Sequence, residues 1–179
     1  MNKTATRKSA EWAREKLIED IKYKAGTVGI TEHGIAEKLP QSTSDTYFYD
    51  VGTKDYTKIS GIEIKQRDAL VKAIQTKERS YKCYQEAFEN VIEEVAYTWF
   101  NRLIAIRFME VNDYLPSGVR VLSSENKAKK EPDLVTTPFD TDLEFTSYEQ
   151  NRIIQLKDDN KLDELFRMLF IKQCNKLHD

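Results

Sequence analysis

An aspartate followed by a glutamate and a lysine two positions apart is the arrangement in this sequence with the clearest chemical meaning. Asp50 or Asp55 precedes Glu63-Ile64-Lys65, and magnesium-dependent nucleases of the PD-(D/E)xK kind use this order to hold the metal and activate water. Their glutamate and lysine share one face of a β-strand. The sequence around Glu63 has a helical pattern, and helix positions i and i+2 diverge, so a divalent-metal nuclease is kept as an alternative.

Signatures of other catalytic or cofactor chemistry are not found in the sequence. The six glycines occur singly, so none of them builds a Gly-rich phosphate or nucleotide loop. His33 and His178 have no partner at metal or triad spacing, and Cys83 and Cys174 are too few for a cysteine-based zinc site. We therefore predict no catalytic, cofactor-binding or metal-binding residue within these 179 residues.

Positive charge is concentrated in the first half of the chain, where it could face a polyanion. Residues 1–82 carry 16 of the 28 Lys and Arg and 12 of the 30 Asp and Glu, whereas residues 83–179 carry 12 and 18. Basic residues recur on the first helix and on the outside of the helix that follows Ser60, where Arg67 is placed both in the apolar stripe and among the outer basic residues. The candidates for contact with DNA phosphates are Arg7, Lys8, Arg14, Lys16, Lys22, Lys24, Lys65 and Lys72. A solvated helix face with interleaved acids explains the same residues equally well.

Helical periodicity accounts for most of the chain and predicts a mainly α fold of about six helices around one long central helix. The predicted helices cover residues 4–24, 31–39 and 84–112, and three more begin at Ser60, at Thr146 and at about Leu162, the last of them running to the chain end. Ser60 with Glu63, and Thr146 with Glu149, have the spacing of capping boxes. The helix over 84–112 is apolar nearly all round in its second half, which predicts a buried position. Its Arg107 then needs an acid partner, and Glu110 is among the candidates.

Residues 41–60 interrupt the helical pattern with a small irregular or hairpin excursion. Ser, Thr, Asp and Gly are dense there, and Tyr47, Phe48, Tyr49 and Tyr56 are interspersed among them. These rings could stack on nucleic-acid bases. The favoured interpretation is a hairpin that packs its rings on the helical core.

Targeting and membrane signals are also not found in the sequence. The apolar runs are far shorter than the roughly 18 residues of a membrane span. The start of the chain is polar and basic, unlike a secretory signal. These features predict a cytoplasmic protein with no membrane partner.

The stretch from Val91 to Pro116, VIEEVAYTWFNRLIAIRFMEVNDYLP, resembles the long N-terminal helix of the PglX family, the adenine-specific DNA methyltransferases of bacterial BREX phage-defence systems. Further matching blocks are Trp12-Ala13-Arg14, Lys16–Asp20, Lys24-Ala25-Gly26, Gly29-Ile30-Thr31, Leu39–Ser42 and Arg120–Ser124. Together these blocks cover most of residues 3–137.

The resemblance implies a parent enzyme several times longer than this chain. In that family an S-adenosylmethionine-dependent methyltransferase domain with an Asn-Pro-Pro-Tyr-type motif is followed by a target-recognition region. Neither the cofactor loop nor a Pro-Pro-Tyr sequence occurs in these 179 residues. Residues 1–179 are therefore expected to form a single N-terminal helical domain that is not itself an enzyme. Its expected role is to position double-stranded DNA or to dock other BREX proteins. The alternatives are a nuclease domain of a fused restriction–modification enzyme and a purely protein-docking scaffold.

Overall fold

A computed structural model describes residues 3–177, so His178 lies outside the described part of the chain. The chain divides into two compact units, Met1–Phe100 and Asn101–Asp179, which we call the N-unit and the C-unit. The elements in chain order are α1 (Lys3–Gly26), β1 (Ile30–Thr31), β2 (Gly34–Ile35), β3 (Thr46–Tyr49), β4 (Thr57–Ser60), α2 (Ile62–Glu78), α3 (Tyr84–Val111), α4 (Asp133–Thr136), a 3-10 turn (Pro138–Asp140), α5 (Ser147–Asp158) and α6 (Leu162–Lys176). The predicted mainly α fold, with six helices and a small hairpin excursion, is confirmed.

The N-unit is built around apolar side chains contributed by α1, α2, the first half of α3 and the short strand β1. Because these residues recur every three to four positions, each helix presents one apolar stripe to the common core. The buried core residues are Ala25, Ile30, Ile74, Ala87, Phe88, Val91 and Ile92. Ile18 and Ile21 of α1 and Leu70 and Val71 of α2 pack against them.

The prediction of a helix over residues 31–39 is wrong, because residues 30–35 form a β-hairpin. Ile30 pairs with Ile35, and Thr31 pairs with Gly34. Gly29 has a φ of 74°, a conformation that L-residues avoid, and a Cβ there would lie 2.7 Å from the Cβ of Ala36. This close approach lets the amide of Ala36 donate a 2.7 Å hydrogen bond to the carbonyl of Gly29. Backbone pairing through glycine thus outweighs the local helix-start signal.

The excursion at 41–60 is an antiparallel hairpin in which Tyr47 pairs with Ile59 and Phe48 with Lys58. Tyr49 and Ile59 are buried, and Tyr47 and Phe48 are half-buried. Tyr56 stays exposed. The predicted hairpin is confirmed, and of its strand rings Tyr49 is the one that is buried, against Arg67 of α2.

The C-unit contains the second half of α3, and in it α4 and α5 both pack against α6. Its buried apolar residues are Ile106, Leu115, Val121, Leu134, Val135, Leu143, Ile153, Leu156, Leu165, Leu169 and Phe170. The predicted capping box at the start of α5 is confirmed, since Thr146 and Glu149 bond reciprocally through side chain and backbone. The box predicted at Ser60 is only half formed: the Glu63 carboxylate accepts from the Ser60 amide at 3.3 Å, but Gly61 occupies the N-cap.

A buried carboxylate, Glu110, fixes the segment that follows α3. Its side chain is fully buried, and it accepts hydrogen bonds from the amides of Val121 (2.8 Å) and Leu122 (2.7 Å) and from the hydroxyl of Ser123 (2.6 Å). The Arg107 guanidinium pairs with the same carboxylate, which confirms the predicted ion pair. Burial alone would raise the pKa of Glu110, but the hydrogen bonds from Ser123, Leu122, Arg107 and Val121 outweigh it and lower the pKa.

Helix α3 ends in a Schellman motif just after Glu110. The amide of Tyr114 donates to the carbonyl of Met109 at 2.8 Å, the amide of Asp113 lies 3.4 Å from the carbonyl of Glu110, and Asp113 has a φ of 55°. The ring of Tyr114 meets that of Phe108 edge to face at 5.9 Å. The Schellman motif therefore ends α3 at Val111, before the helix-terminating Leu115-Pro116 pair that the sequence predicts.

The expectation that the second half of α3 is buried nearly all round is wrong. Ile106 and Glu110 face the core of the C-unit, but Ile104, Phe108 and Val111 are exposed. The sequence shows on which sides of the helix the apolar residues lie, whereas the packing of neighbouring segments decides which of those sides are buried.

The burial of Glu110 predicts a pH-dependent stability. A carboxylate whose folded-state pKa lies below its unfolded value of about 4.3 stabilises the fold above that value, and this contribution is lost as the pH falls through the folded-state pKa. Urea unfolding measured from pH 7 down to pH 3 should therefore show a fall in the free energy of unfolding on the acid side. Glu110→Gln leaves backbone donors unpaired and should cost about 3 kcal/mol at pH 7.

The matched control is Glu131→Gln, because Glu131 is exposed. It should retain both the stability and the pH profile of the native protein. An unchanged urea midpoint for Glu110→Gln at pH 7 would contradict the role assigned to Glu110.

Candidate nucleic-acid interface

The side chain of Arg67 sets the orientation of α2 and thereby the direction of its lysines. It donates 2.8 Å hydrogen bonds to the carbonyls of Val28 and Ala36, and its guanidinium carbon lies 3.8 Å from the centre of the Tyr49 ring. It therefore joins α2 to the segment after α1, to the segment after β2 and to β3. Only 8% of Arg67 is exposed, so its predicted place in the apolar stripe of α2 is confirmed and its predicted place among the outer basic residues is wrong.

The charge of Arg67 is held in a largely desolvated position. Burial lowers the pKa of Arg67, and the coulombic effects of Tyr49 and Asp68 act in the opposite direction. The pKa of the Tyr49 hydroxyl is raised, chiefly by its own burial. An arginine stacked on an aromatic ring with two carbonyl acceptors combines cation–π attraction with directional bonds.

Because Arg67 occupies the buried side of α2, Lys65 and Lys72 point away from the core. They are seven residues apart, so at 100° per residue they lie on nearly the same side of α2. Arg67 and Ile74 are also seven residues apart, and they occupy the buried side. Lys65 and Lys72 are exposed, and the described ion pairs assign neither of them to an acid. Asp68 lies between them on the sequence, so this side of α2 carries two cations and one acid.

The cations of α1 are arranged differently from the pair on α2. Arg7 pairs with Glu11 at 3.0 Å, and Arg14 lies 3.4 Å from Glu93 of α3. Lys16 pairs with Asp20 at 2.9 Å, and this hydrogen bond raises the pKa of Lys16. Acids within the N-unit thus offset three of the six α1 residues that are candidates for DNA contact.

Lys8, Lys22 and Lys24 complete the predicted set on α1. Lys8 and Lys24 are exposed, and Lys22 is half-buried. The fourteen-residue spacing of Lys8 and Lys22 puts them on about the same side, with Glu15 midway between them, whereas Lys24 lies on about the opposite side. A single straight duplex could not meet all six α1 cations at once.

Sequence reasoning missed one exposed cation close along the chain to the α2 pair. In β4 the residues alternate, with Ile59 buried and Lys58 and Ser60 exposed, as expected of a strand with one covered face. β4 is followed directly by α2 through Gly61, whose φ is 56°. The period-two pattern of Thr57-Lys58-Ile59-Ser60 is the signal that could have identified Lys58.

The residues of the nuclease alternative are not arranged as that chemistry requires. Glu63 and Lys65 lie in the first turn of α2 rather than on a strand, and the Glu63 carboxylate accepts from the Ser60 amide. An Asp50 side-chain oxygen accepts from the amide of Gly52 at 2.9 Å. Among residues 3–177, no group of three or more His, Cys, Asp or Glu side chains is placed to hold a metal ion. No helix in the same range is long and apolar enough to cross a membrane.

Comparison with curated proteins finds relatives that match nearly the whole chain. This chain is 45% identical over 184 residues to the adenine-specific methyltransferase PglX of Lacticaseibacillus casei (strain Zhang). The aligned region covers 99% of this chain and 15% of the relative. The chain is 30% identical over 184 residues to the adenine-specific methyltransferase BrxX of Escherichia coli O9:H4 (strain HS), covering 99% of this chain and 14% of that relative. No protein-family model matches the chain. The chain thus spans about one seventh of the length of these relatives.

The contacts of Arg67 predict that its loss would loosen the N-unit. Arg67→Met leaves the carbonyls of Val28 and Ala36 without their donor and should cost about 3 kcal/mol of unfolding free energy. Arg67→Lys keeps the charge but loses the planar fork, so it should cost less, about 1–2 kcal/mol. Thermal unfolding measures the loss, and amide hydrogen exchange should show faster exchange in β3 and β4.

Arg79→Met is the control, since Arg79 is exposed at the C-cap of the same helix. It should leave the midpoint and the exchange pattern unchanged. Equal effects of the Arg67 and Arg79 substitutions would refute the positioning role of Arg67.

Proposed function

We propose, on the premise that this chain is homologous to a segment of the adenine-specific methyltransferases PglX and BrxX, that it is the N-terminal, non-catalytic region of such an enzyme. The observation that carries the proposal is the match to PglX over 99% of this chain. Two relatives from different bacteria match across the same extent, which supports one evolutionary unit rather than a shared short motif. The remaining length of those relatives leaves room for a separate catalytic domain.

The proposed reaction of the whole enzyme is transfer of a methyl group from S-adenosylmethionine to the exocyclic N6 of adenine in DNA. The target base must leave the duplex to reach a catalytic pocket. The duplex therefore has to be held by contacts to its backbone while the base is displaced. In this proposal the cofactor and the catalytic residues belong to the part of the enzyme outside these 179 residues.

The N-unit would contribute positioning contacts to the DNA backbone. Lys65 and Lys72 are the best placed of the predicted cations, because they lie together on the exposed side of α2 and Arg67 anchors the opposite side. Lys8, Lys22 and Lys24 would add charge, and Arg7, Arg14 and Lys16 would add less because acids offset them. Phosphate contacts of this kind give affinity without reading sequence.

The biological setting follows from the same homology and is equally a proposal. The parent enzyme would act in the cytoplasm as part of a BREX phage-defence system, with double-stranded DNA and other BREX proteins as partners. A nuclease function is not favoured, because Glu63 and Lys65 lie on a helix. A protein-docking role is the second candidate, and it is favoured by the exposed apolar residues of α3.

The first test separates the activity of the whole enzyme from that of this region. Full-length protein incubated with duplex DNA and radiolabelled S-adenosylmethionine should label adenine, and digestion to nucleosides should identify N6-methyladenine. The 179-residue chain alone should give no label and no DNA cleavage. Label transferred by the 179-residue chain would overturn the assignment of a non-catalytic region.

The second test addresses the lysines of α2. In the full-length enzyme, Lys65→Gln with Lys72→Gln should weaken duplex binding at low salt and reduce the slope of log K against log salt by about 2, because each phosphate contact contributes roughly 0.9. Binding measured by fluorescence anisotropy at several salt concentrations provides the slope. Both lysines are exposed, so stability should be unaffected.

Lys127→Gln with Lys129→Gln is the matched control, since both residues are exposed in the C-unit. It removes the same charge and should leave the slope close to that of the native enzyme. Identical slopes for the two double variants would remove Lys65 and Lys72 from the interface.

A further inference from the structure

A row of large apolar side chains is exposed along the C-unit end of α3. Ile104 is 55% exposed, Phe108 58%, Val111 58% and Tyr114 62%. Ile104, Phe108 and Val111 are spaced by four and three residues, so they lie on one side of the helix. We name these four residues the α3 row, and we propose that it is the surface on which the rest of the methyltransferase polypeptide docks.

The α3 row is an ordered surface rather than a set of loose side chains. Tyr114 is held by the Schellman motif, in which its amide bonds to the carbonyl of Met109 at 2.8 Å. Its ring packs edge to face against that of Phe108, with 5.9 Å between the ring centres and an angle of 65° between the ring planes. A fixed aromatic pair has little conformational entropy to lose on binding, so it suits a preformed contact surface.

The opposite side of the same helix is buried within the C-unit. Ile106 and Glu110, each 2% exposed, face the interior of the C-unit. The C-unit therefore covers the side that carries Ile106 and the paired Glu110, and the α3 row lies on another side of the helix. Clustered exposed apolar residues commonly mark an interaction site.

The chemistry of the row fits a protein surface and not a nucleic acid. Its four members carry no positive charge, and the nearby Arg107 is paired with the buried Glu110. DNA backbones are bound by cations, whereas interface centres are enriched in aromatic and aliphatic side chains and depleted of charge. The occupant should accordingly be apolar.

The length of the relatives and the size of the row point to an occupant in the same polypeptide. The matched segment is 15% of the PglX relative, so most of that polypeptide is available to cover the row. Four half-exposed side chains offer only a few hundred Å², while a stable complex of separate molecules buries about 800 Å² on each partner. A tethered partner needs less area, because its effective concentration is on the order of millimolar.

Site-specific photocross-linking in the full-length enzyme tests this inference, which rests on the proposed function. Phe108→p-benzoylphenylalanine should give intramolecular cross-links to peptides that lie beyond residue 179, identified by mass spectrometry. The control is Tyr148→p-benzoylphenylalanine on α5, where the native residue is 79% exposed and lies outside the row. Cross-links joining two copies of the chain, or yields at position 108 no higher than at position 148, would overturn the inference.

A second measurement uses charge substitution. In the full-length enzyme Phe108→Asp should lower the thermal midpoint by several degrees, because a charge would be buried against the docked surface, while Tyr148→Asp should shift it by less than about 1 °C. In the 179-residue chain Phe108→Asp removes only its contact with Tyr114, so its midpoint should fall by less than in the full-length enzyme, and Tyr148→Asp should leave the midpoint nearly unchanged. Equal midpoints for the two full-length variants would refute docking at the row.

Methyl transfer measured on the same preparations keeps the two proposals separate. Failure of the native full-length protein to methylate adenine would overturn the proposed function, whatever the cross-links show. Normal methyl transfer without cross-links from position 108 would overturn only the docking inference.

Discussion

A buried charge must have its hydrogen-bonding positions satisfied, and each unit of this protein is organised around one such group. In the N-unit the Arg67 guanidinium bonds to two backbone carbonyls and stacks on Tyr49. In the C-unit the Glu110 carboxylate accepts from two backbone amides, a hydroxyl and Arg107. Removing one partner from such a group costs several kcal/mol, so these charges hold irregular segments in place where helix packing alone would not.

The proposed function depends on this arrangement because it decides which side chains reach solvent. With Arg67 and Ile74 on the buried side of α2, Lys65 and Lys72 necessarily occupy the opposite side. The cations of α1 have no such common direction, and acids pair with several of them. The larger number of candidate cations on α1 therefore does not make α1 the better surface for DNA.

Helix α3 contributes both to the core of the C-unit and to the surface on which we propose that the rest of the parent enzyme docks. Glu110 secures one side of its second half, and Ile104, Phe108 and Val111 are exposed on another. The homology to PglX extends along the whole chain but over a small part of the relative. An apolar helix side left uncovered in one region of a long protein is most simply covered by another region of the same chain.

The sequence by itself determined the helices with strong periodicity, the capping box at Thr146, the hairpin at 41–60 and the relationship to PglX. These depend on signals carried by neighbouring residues or by the residue string itself. Tertiary structure alone decided which of its two predicted places Arg67 takes, that residues 30–35 form a hairpin and that one side of α3 stays exposed. Each of these outcomes depends on segments distant in the chain, because burial and backbone pairing are properties of the assembled fold and not of local spacing.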